Sequence, residues 1–162
     1  MIIEGNAKYV MYVFEYAAVT DCGKIRGNNE DNFFVNGTIK EKTQTLSFAG
    51  SGCTSDGYIL AAVCDGMGGL DRGEAASMAA VRSLQEYYGR LKAARDKPGW
   101  EKDLLRENPE QFISYANECV CSLMDAGSSQ TGTTISAVKK MNIYKILKKI
   151  FVLEYFALLF YQ

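Results

Sequence analysis

Seven apolar residues, Tyr58 to Cys64 (YILAAVC), run without alternation into an acid and a set of glycines, Asp65-Gly66-Met67-Gly68-Gly69. A short uninterrupted apolar run predicts a strand covered on both faces, so the chain must supply layers for it to lie between. The acid at its end is costly in a buried setting unless a metal ion or several donors meet its charge. The glycines let the backbone turn sharply and bring carbonyls or amides to a ligand. Mg2+ and Mn2+ prefer such oxygen ligands and keep several waters. The competing reading, Asp65 as a cap for the next helix, has to reach past Gly73 and Glu74, and it stays open beside the metal reading. The motif is not GxGxxG and the chain has no Walker A sequence, so nothing points to nucleotide binding.

The layers come from both sides of this run. Met78, Val81, Leu84, Tyr88 and Leu91 recur at spacings of three and four, which predicts an amphipathic helix over Gly73 to Arg95. A linker around Lys97-Pro98-Gly99 precedes a second helix from near Pro109, with Phe112, Ala116, Val120 and Leu123 on its stripe and Ala126-Gly127 at its end. Aromatic and β-branched content predicts strands at Lys8 to Ala18, Asn32 to Asn36, Thr45 to Ala49 and Thr131 to Val138. Asn36-Gly37 reads as a tight turn, and Gly50 to Gly57 as a loop or hairpin connection. From Lys139 to Gln162 the character changes. Five lysines sit between Lys139 and Lys149, and Ile150 to Tyr161 is apolar except for Glu154. Twelve residues fall short of the ~20 a bilayer span needs. A helix packing on the same domain is preferred here over a membrane-surface helix.

Composition removes whole classes of function. The 162 residues contain no histidine, which excludes Ser-His-Asp and Cys-His catalysis and imidazole zinc sites. Five scattered cysteines with no CxxC indicate neither a disulfide framework nor a zinc ribbon, and reduced thiols are expected. No cysteine has arginine six positions later, so a thiol-based phosphatase is closed too. A net charge of -1 gives nucleic acid no basic surface to meet. The first nine residues carry Glu4 and Lys8 and no long apolar run, so a signal peptide is not expected and a cytoplasmic location is. With 48% hydrophobic residues and no internal repeat, a single globular domain with a sizeable core is expected.

A second polar cluster, Arg26-Gly27-Asn28-Asn29-Glu30-Asp31, lies upstream. If it is extended, Arg26, Asn28 and Glu30 share one face, a pattern suited to holding a phosphate and a cation side by side. A surface turn with one ion pair is the plainer alternative.

Three motifs then occur in order: Arg26-x-x-x-Glu30-Asp31, Val63-Cys64-Asp65-Gly66-Met67-Gly68-Gly69-x-x-x-Gly73-Glu74-x-Ala76-Ser77, and Gly132-Thr133-Thr134. Together they resemble the metal-dependent Ser/Thr protein phosphatases of type 2C, in their bacterial form. The resemblance spans about Val19 to Val138. It implies an α+β fold, a β-sandwich flanked by helices in αββα layers, incomplete on its C-terminal side. Residues 1–138 would be the N-terminal portion of such a domain and 139–162 an atypical tail. It also implies two Mg2+ or Mn2+ ions, with Asp65 bridging them, Glu30 and the Gly66 carbonyl completing the neighbouring ligands, and Asp31 in support. Arg26 would hold the substrate phosphate, so Arg26 and Asp65 carry the catalysis. The expected activity is hydrolysis of phosphoserine or phosphothreonine in proteins by a metal-activated water, with a Ser/Thr kinase as a further partner. Glu74 and Ser77 are assigned to structure, Thr133 and Thr134 to strand packing.

The pattern departs from the family in two places. Leu70 stands where many relatives carry histidine. After Val138 the sequence has no Asp and one acid, Glu154, where the family supplies further metal-binding aspartates. The chain therefore reads as a shortened or frame-shifted phosphatase with weak or absent activity, because cation affinity tracks ligand charge and count. A non-catalytic module that docks a phosphoprotein or kinase through Arg26 is the alternative; a membrane tether through the tail is the weakest reading.

Overall fold

The computed structural model describes residues 13–54, 58–67, 72–95, 97, 109–123, 131–141 and 151–160. In chain order these form β1 (Phe14–Asp21), β2 (Asn32–Val35), β3 (Thr38–Ile39), β4 (Ser47–Thr54), β5 (Tyr58–Cys64) and β6 (Gly66–Met67). They continue with α1 (Gly73–Arg95), α2 (Pro109–Cys121), β7 (Gly132–Met141) and β8 (Phe151–Phe160). The fold is mixed α+β: β1 and β4 form a two-stranded antiparallel ribbon, and the other six strands form one sheet.

Strand β7 organises the larger sheet. One of its sides pairs with β5 and, in unbroken register past Asp65, with β6; β8 pairs along its full length from Gly132 to Met141. Beyond β5 lie β2 and then β3, joined by the Asn36-Gly37 turn. Both turn residues have positive φ, 45° and 97°, as a two-residue hairpin of matching twist demands.

Period-two alternation sorts the sheet's side chains into two layers. Phe34, Leu60, Ala62, Ile135 and Ala137 face α1 and α2 and join Met78, Val81, Leu84, Tyr88, Leu91, Phe112, Ala116 and Val120 in the core. All five residues of the predicted α1 stripe are buried. Tyr88 packs edge-on against both Phe34 and Tyr58, with ring centroids 5.7 and 5.9 Å away, and Tyr87 meets Phe112 at 5.2 Å between the helices. Lys139, expected in a charged tail, is instead the buried continuation of β7. Its ammonium donates to the Tyr87 hydroxyl at 3.2 Å and lies over that ring.

The opposite face of the sheet looks toward the β1–β4 ribbon. Phe33 stacks on Phe48 at 5.8 Å, and the Tyr16 and Thr38 hydroxyls bond at 3.1 Å. Elsewhere the two layers stand apart around a cavity of about 910 Å3, lined by Ala17, Val19, Val35, Ala61, Val63 and Val138 among others. Tyr58–Cys64 is thus a strand as predicted, but one face carries the burial and Val63 is 58% exposed. The small side chains of the ribbon do not fill the space above it.

Several expectations are corrected. Gly50 to Thr54 is strand, not loop: a Cβ on Gly50 would lie 2.9 Å from Thr38 Cγ2, so glycine there permits the ribbon to approach the sheet. The first strand runs on to Asp21, while Lys8 to Tyr12 lie outside the described residues. Helix α2 stops at Cys121, and Ala126-Gly127 lie outside the described residues. The tail is not helical over Phe151–Phe160: that segment is β8. An apolar run of this length suits strand or buried helix equally, and the long unpaired side of β7 decides for strand. Among the described residues, no helix is long and apolar enough to cross a membrane.

The two layers predict unequal responses to truncation. Leu84→Ala, at 1% exposure in the core, should cost about 2–5 kcal/mol in urea denaturation. Val63→Ala on the open face should change stability by no more than about 0.5 kcal/mol.

Candidate functional site

The register of β2 on β5 places Asn32 opposite Cys64. One step further along, Asp31 comes opposite Asp65. Their carboxyl groups lie within hydrogen-bonding reach of one another. Burial foremost, then the Asp65 charge and the shared contact with its carboxyl, raise Asp31 above the usual aspartate range, while Arg26 and Lys40 pull the other way. The buried Oδ1 of Asp31 receives no N–H or O–H donor among the described residues. Negative charge is therefore concentrated here without a matching set of donors.

Both acids are held by their main chains. Asn29 Oδ1 accepts from the Asp31 amide at 3.0 Å, and the Asn29 side-chain amide donates to Thr20 Oγ1 at 3.0 Å and to the Leu46 carbonyl at 2.8 Å. The loop before β2 is thereby tied to the ribbon. On the other side, the Thr133 hydroxyl and the Thr134 amide both donate to the Asp65 carbonyl at 2.9 Å. The Asp65 amide donates to Thr134 Oγ1 at 3.3 Å. Thr133 and Thr134 thus do more than pack: they fix the backbone of the acid that interrupts the strand.

Gly66 sits where no side chain fits. A Cβ there would lie 2.3 Å from the Gly73 carbonyl oxygen and 2.5 Å from that of Glu30. The Glu30 carbonyl also accepts from the Ser77 hydroxyl at 2.5 Å, so the loop, β6 and the start of α1 are locked together at this point. Glu74, in the first turn of α1, accepts from the Asn28 side chain at 3.0 Å.

Of the residues singled out in the sequence, Asp31 and Asp65 meet through their side chains, and Glu30 and Gly66 meet through the main chain. Arg26 is exposed and acts on Asp31 through its charge. The three acids do not converge: no group of three His, Cys, Asp or Glu placed to hold a metal ion occurs among the described residues. Asp31, expected in support, is the acid that faces Asp65. Two carboxylates with one undonated buried oxygen still suit a hard divalent cation, which prefers oxygen ligands. Cys64, adjacent to Asp65, is buried and its thiol is pushed up to about 12, so it stays protonated and inert.

Sequence reasoning passed over Lys40. It is fully buried, its ammonium donates to the Asn29 carbonyl at 2.7 Å, and Asn32 brackets its main chain with two bonds of 3.0 Å. The signal was available: a two-residue turn at Asn36-Gly37 brings residue 40 back beside 32 and 33.

Compared with protein-family models, curated proteins and solved structures, the chain has no match.

Two substitutions test this geometry. Because Asp31 binds its proton more tightly folded than unfolded, its contribution to stability is present at acidic pH and is lost as pH rises through the raised value. Asp31→Asn should therefore stabilise the protein at pH 7, by about 0.2–1 kcal/mol as expected for relieving directly opposed like charges, with the gain shrinking toward pH 4 in thermal melts. Gly66→Ala should lower the melting temperature sharply, since two backbone carbonyls must move; unchanged melting would show that Gly66 is not so enclosed.

Proposed function

We propose that this chain carries the acidic end of a metal-dependent Ser/Thr phosphoprotein phosphatase of type 2C, acting weakly or not at all as a hydrolase. The observation that carries this reading is the opposition of Asp31 and Asp65, two carboxylates with one buried oxygen left without a donor. Support comes also from the order of the three motifs and from the layering of helices, sheet and ribbon, which agrees with a sandwich flanked on one side by helices.

Asp65 and Asp31 would hold Mg2+ or Mn2+, with the Gly66 carbonyl as a further oxygen ligand and Glu30, whose side chain does not converge on the pair, adding negative charge nearby. When bound, such a cation supplies a water that ionises near neutral pH. Thr133 and Thr134 keep Asp65 at its place on the strand, so the site is organised before a ligand arrives. Arg26, exposed at the rim, offers a planar fork to the phosphoryl oxygens of a phosphoserine or phosphothreonine side chain. The charge count limits the activity. Asp31, Asp65 and Glu30 bring at most three negative charges, against the four positive charges of two divalent ions, so one ion is held in preference to two.

Calorimetric titration with Mn2+ should show about one ion bound per chain and none bound by Asp65→Asn. Mn2+-dependent release of phosphate from a phosphothreonine peptide should be slow or undetectable, and any release should vanish in Asp65→Asn. A wild-type chain that binds no Mn2+ refutes the site. Robust turnover refutes the weak activity.

A further inference from the structure

Lys40 is buried, and a buried ammonium demands compensation that water cannot give. Its one hydrogen bond among the described contacts is to the Asn29 carbonyl, at 2.7 Å. The negative charges it feels are Asp31 and Glu74. It is therefore enclosed within electrostatic reach of Asp31, one of the two acids of the candidate site, and of Glu74. Its main chain is fixed independently, since Asn32 Nδ2 donates to the Lys40 carbonyl and Asn32 Oδ1 accepts from the Lys40 amide. For the ammonium to leave, its 2.7 Å bond to the Asn29 carbonyl must break.

We infer that Lys40 is a resident counter-charge: a positioning residue that holds the Asn29–Asp31 loop and competes with a divalent cation for the charge of Asp31. This rests on the reading of Asp31 and Asp65 as a cation site. The arrangement lets the loop keep its shape with the site empty, at the cost of affinity. Removing the ammonium leaves Arg26 as the remaining positive charge acting on Asp31, so the chain loses stability without cation and gains more from binding one. A lysine that merely filled space would lower stability equally with and without cation.

The test compares Mn2+ titrations and thermal melts of the full chain as wild type, Lys40→Met and Lys139→Met. Lys139→Met makes the same change in net charge at another buried lysine, five residues along β7 from Thr134 and thus roughly 16 Å away. Lys40→Met should bind Mn2+ about tenfold more tightly, the scale of removing one unit charge that acts on Asp31 in a partly exposed site. It should melt lower without Mn2+ and show a larger Mn2+-induced rise. Lys139→Met should keep wild-type affinity. If Lys40→Met is unfolded without cation, millimolar Mn2+ should restore its folded signal; failure to do so overturns the inference. Affinity in Lys40→Met equal to or weaker than wild type overturns it while leaving the cation site standing. No Mn2+ binding by the wild type overturns both.

Discussion

Antiparallel pairing between β2 and β5 leaves no choice about where Asp31 falls. Once Phe34 is committed to the helix-facing core against Ala62, Asn32 must meet Cys64, and the next residue back must meet the acid that ends β5. The apolar core thus imposes a confrontation of two carboxylates that electrostatics alone would avoid. The surroundings bear it in three ways: Asn29 and Thr133 with Thr134 hold the backbones, Arg26 and Lys40 supply positive charge, and Asp31 retains its proton more readily. A local arrangement that lowers stability and persists because packing fixes it is a common mark of a site built for binding.

Much of the fold was legible because its signals are local. The stripe on Gly73–Arg95, the apolar run of Tyr58–Cys64 and the Asn36-Gly37 turn each need only their own neighbours to be read. Phe151–Phe160 was not legible for the opposite reason: its conformation depends on whether β7 has a free side, which is a property of the assembled sheet. Gly50 misled because a glycine that permits close packing and a glycine that permits a turn look alike in sequence.

For the site, spacing was enough to single out Arg26, Glu30, Asp31, Asp65 and Gly66, but not to rank them. Adjacent residues on an extended chain point to opposite sides, so which of Glu30 and Asp31 faces Asp65 rests on register parity, and a slip of one residue would exchange them. Lys40 was hidden behind a general expectation that lysines are solvated. Only the return of the hairpin reveals it to be enclosed.

The partly empty space between the ribbon and the sheet has a bearing on the acids some distance away. Few large side chains bind the two layers around this space, so little apolar contact there resists lifting of β1 and β4. Yet Thr20 on β1 and Leu46 just before β4 are what secure the Asn29 amide, and through it the Asp31 backbone. Transient lifting of the ribbon would release that amide, and an ion captured by Asp31 would in turn draw the ribbon down. Under the proposed function, ligand occupancy and outer-layer closure would then be two readings of one equilibrium.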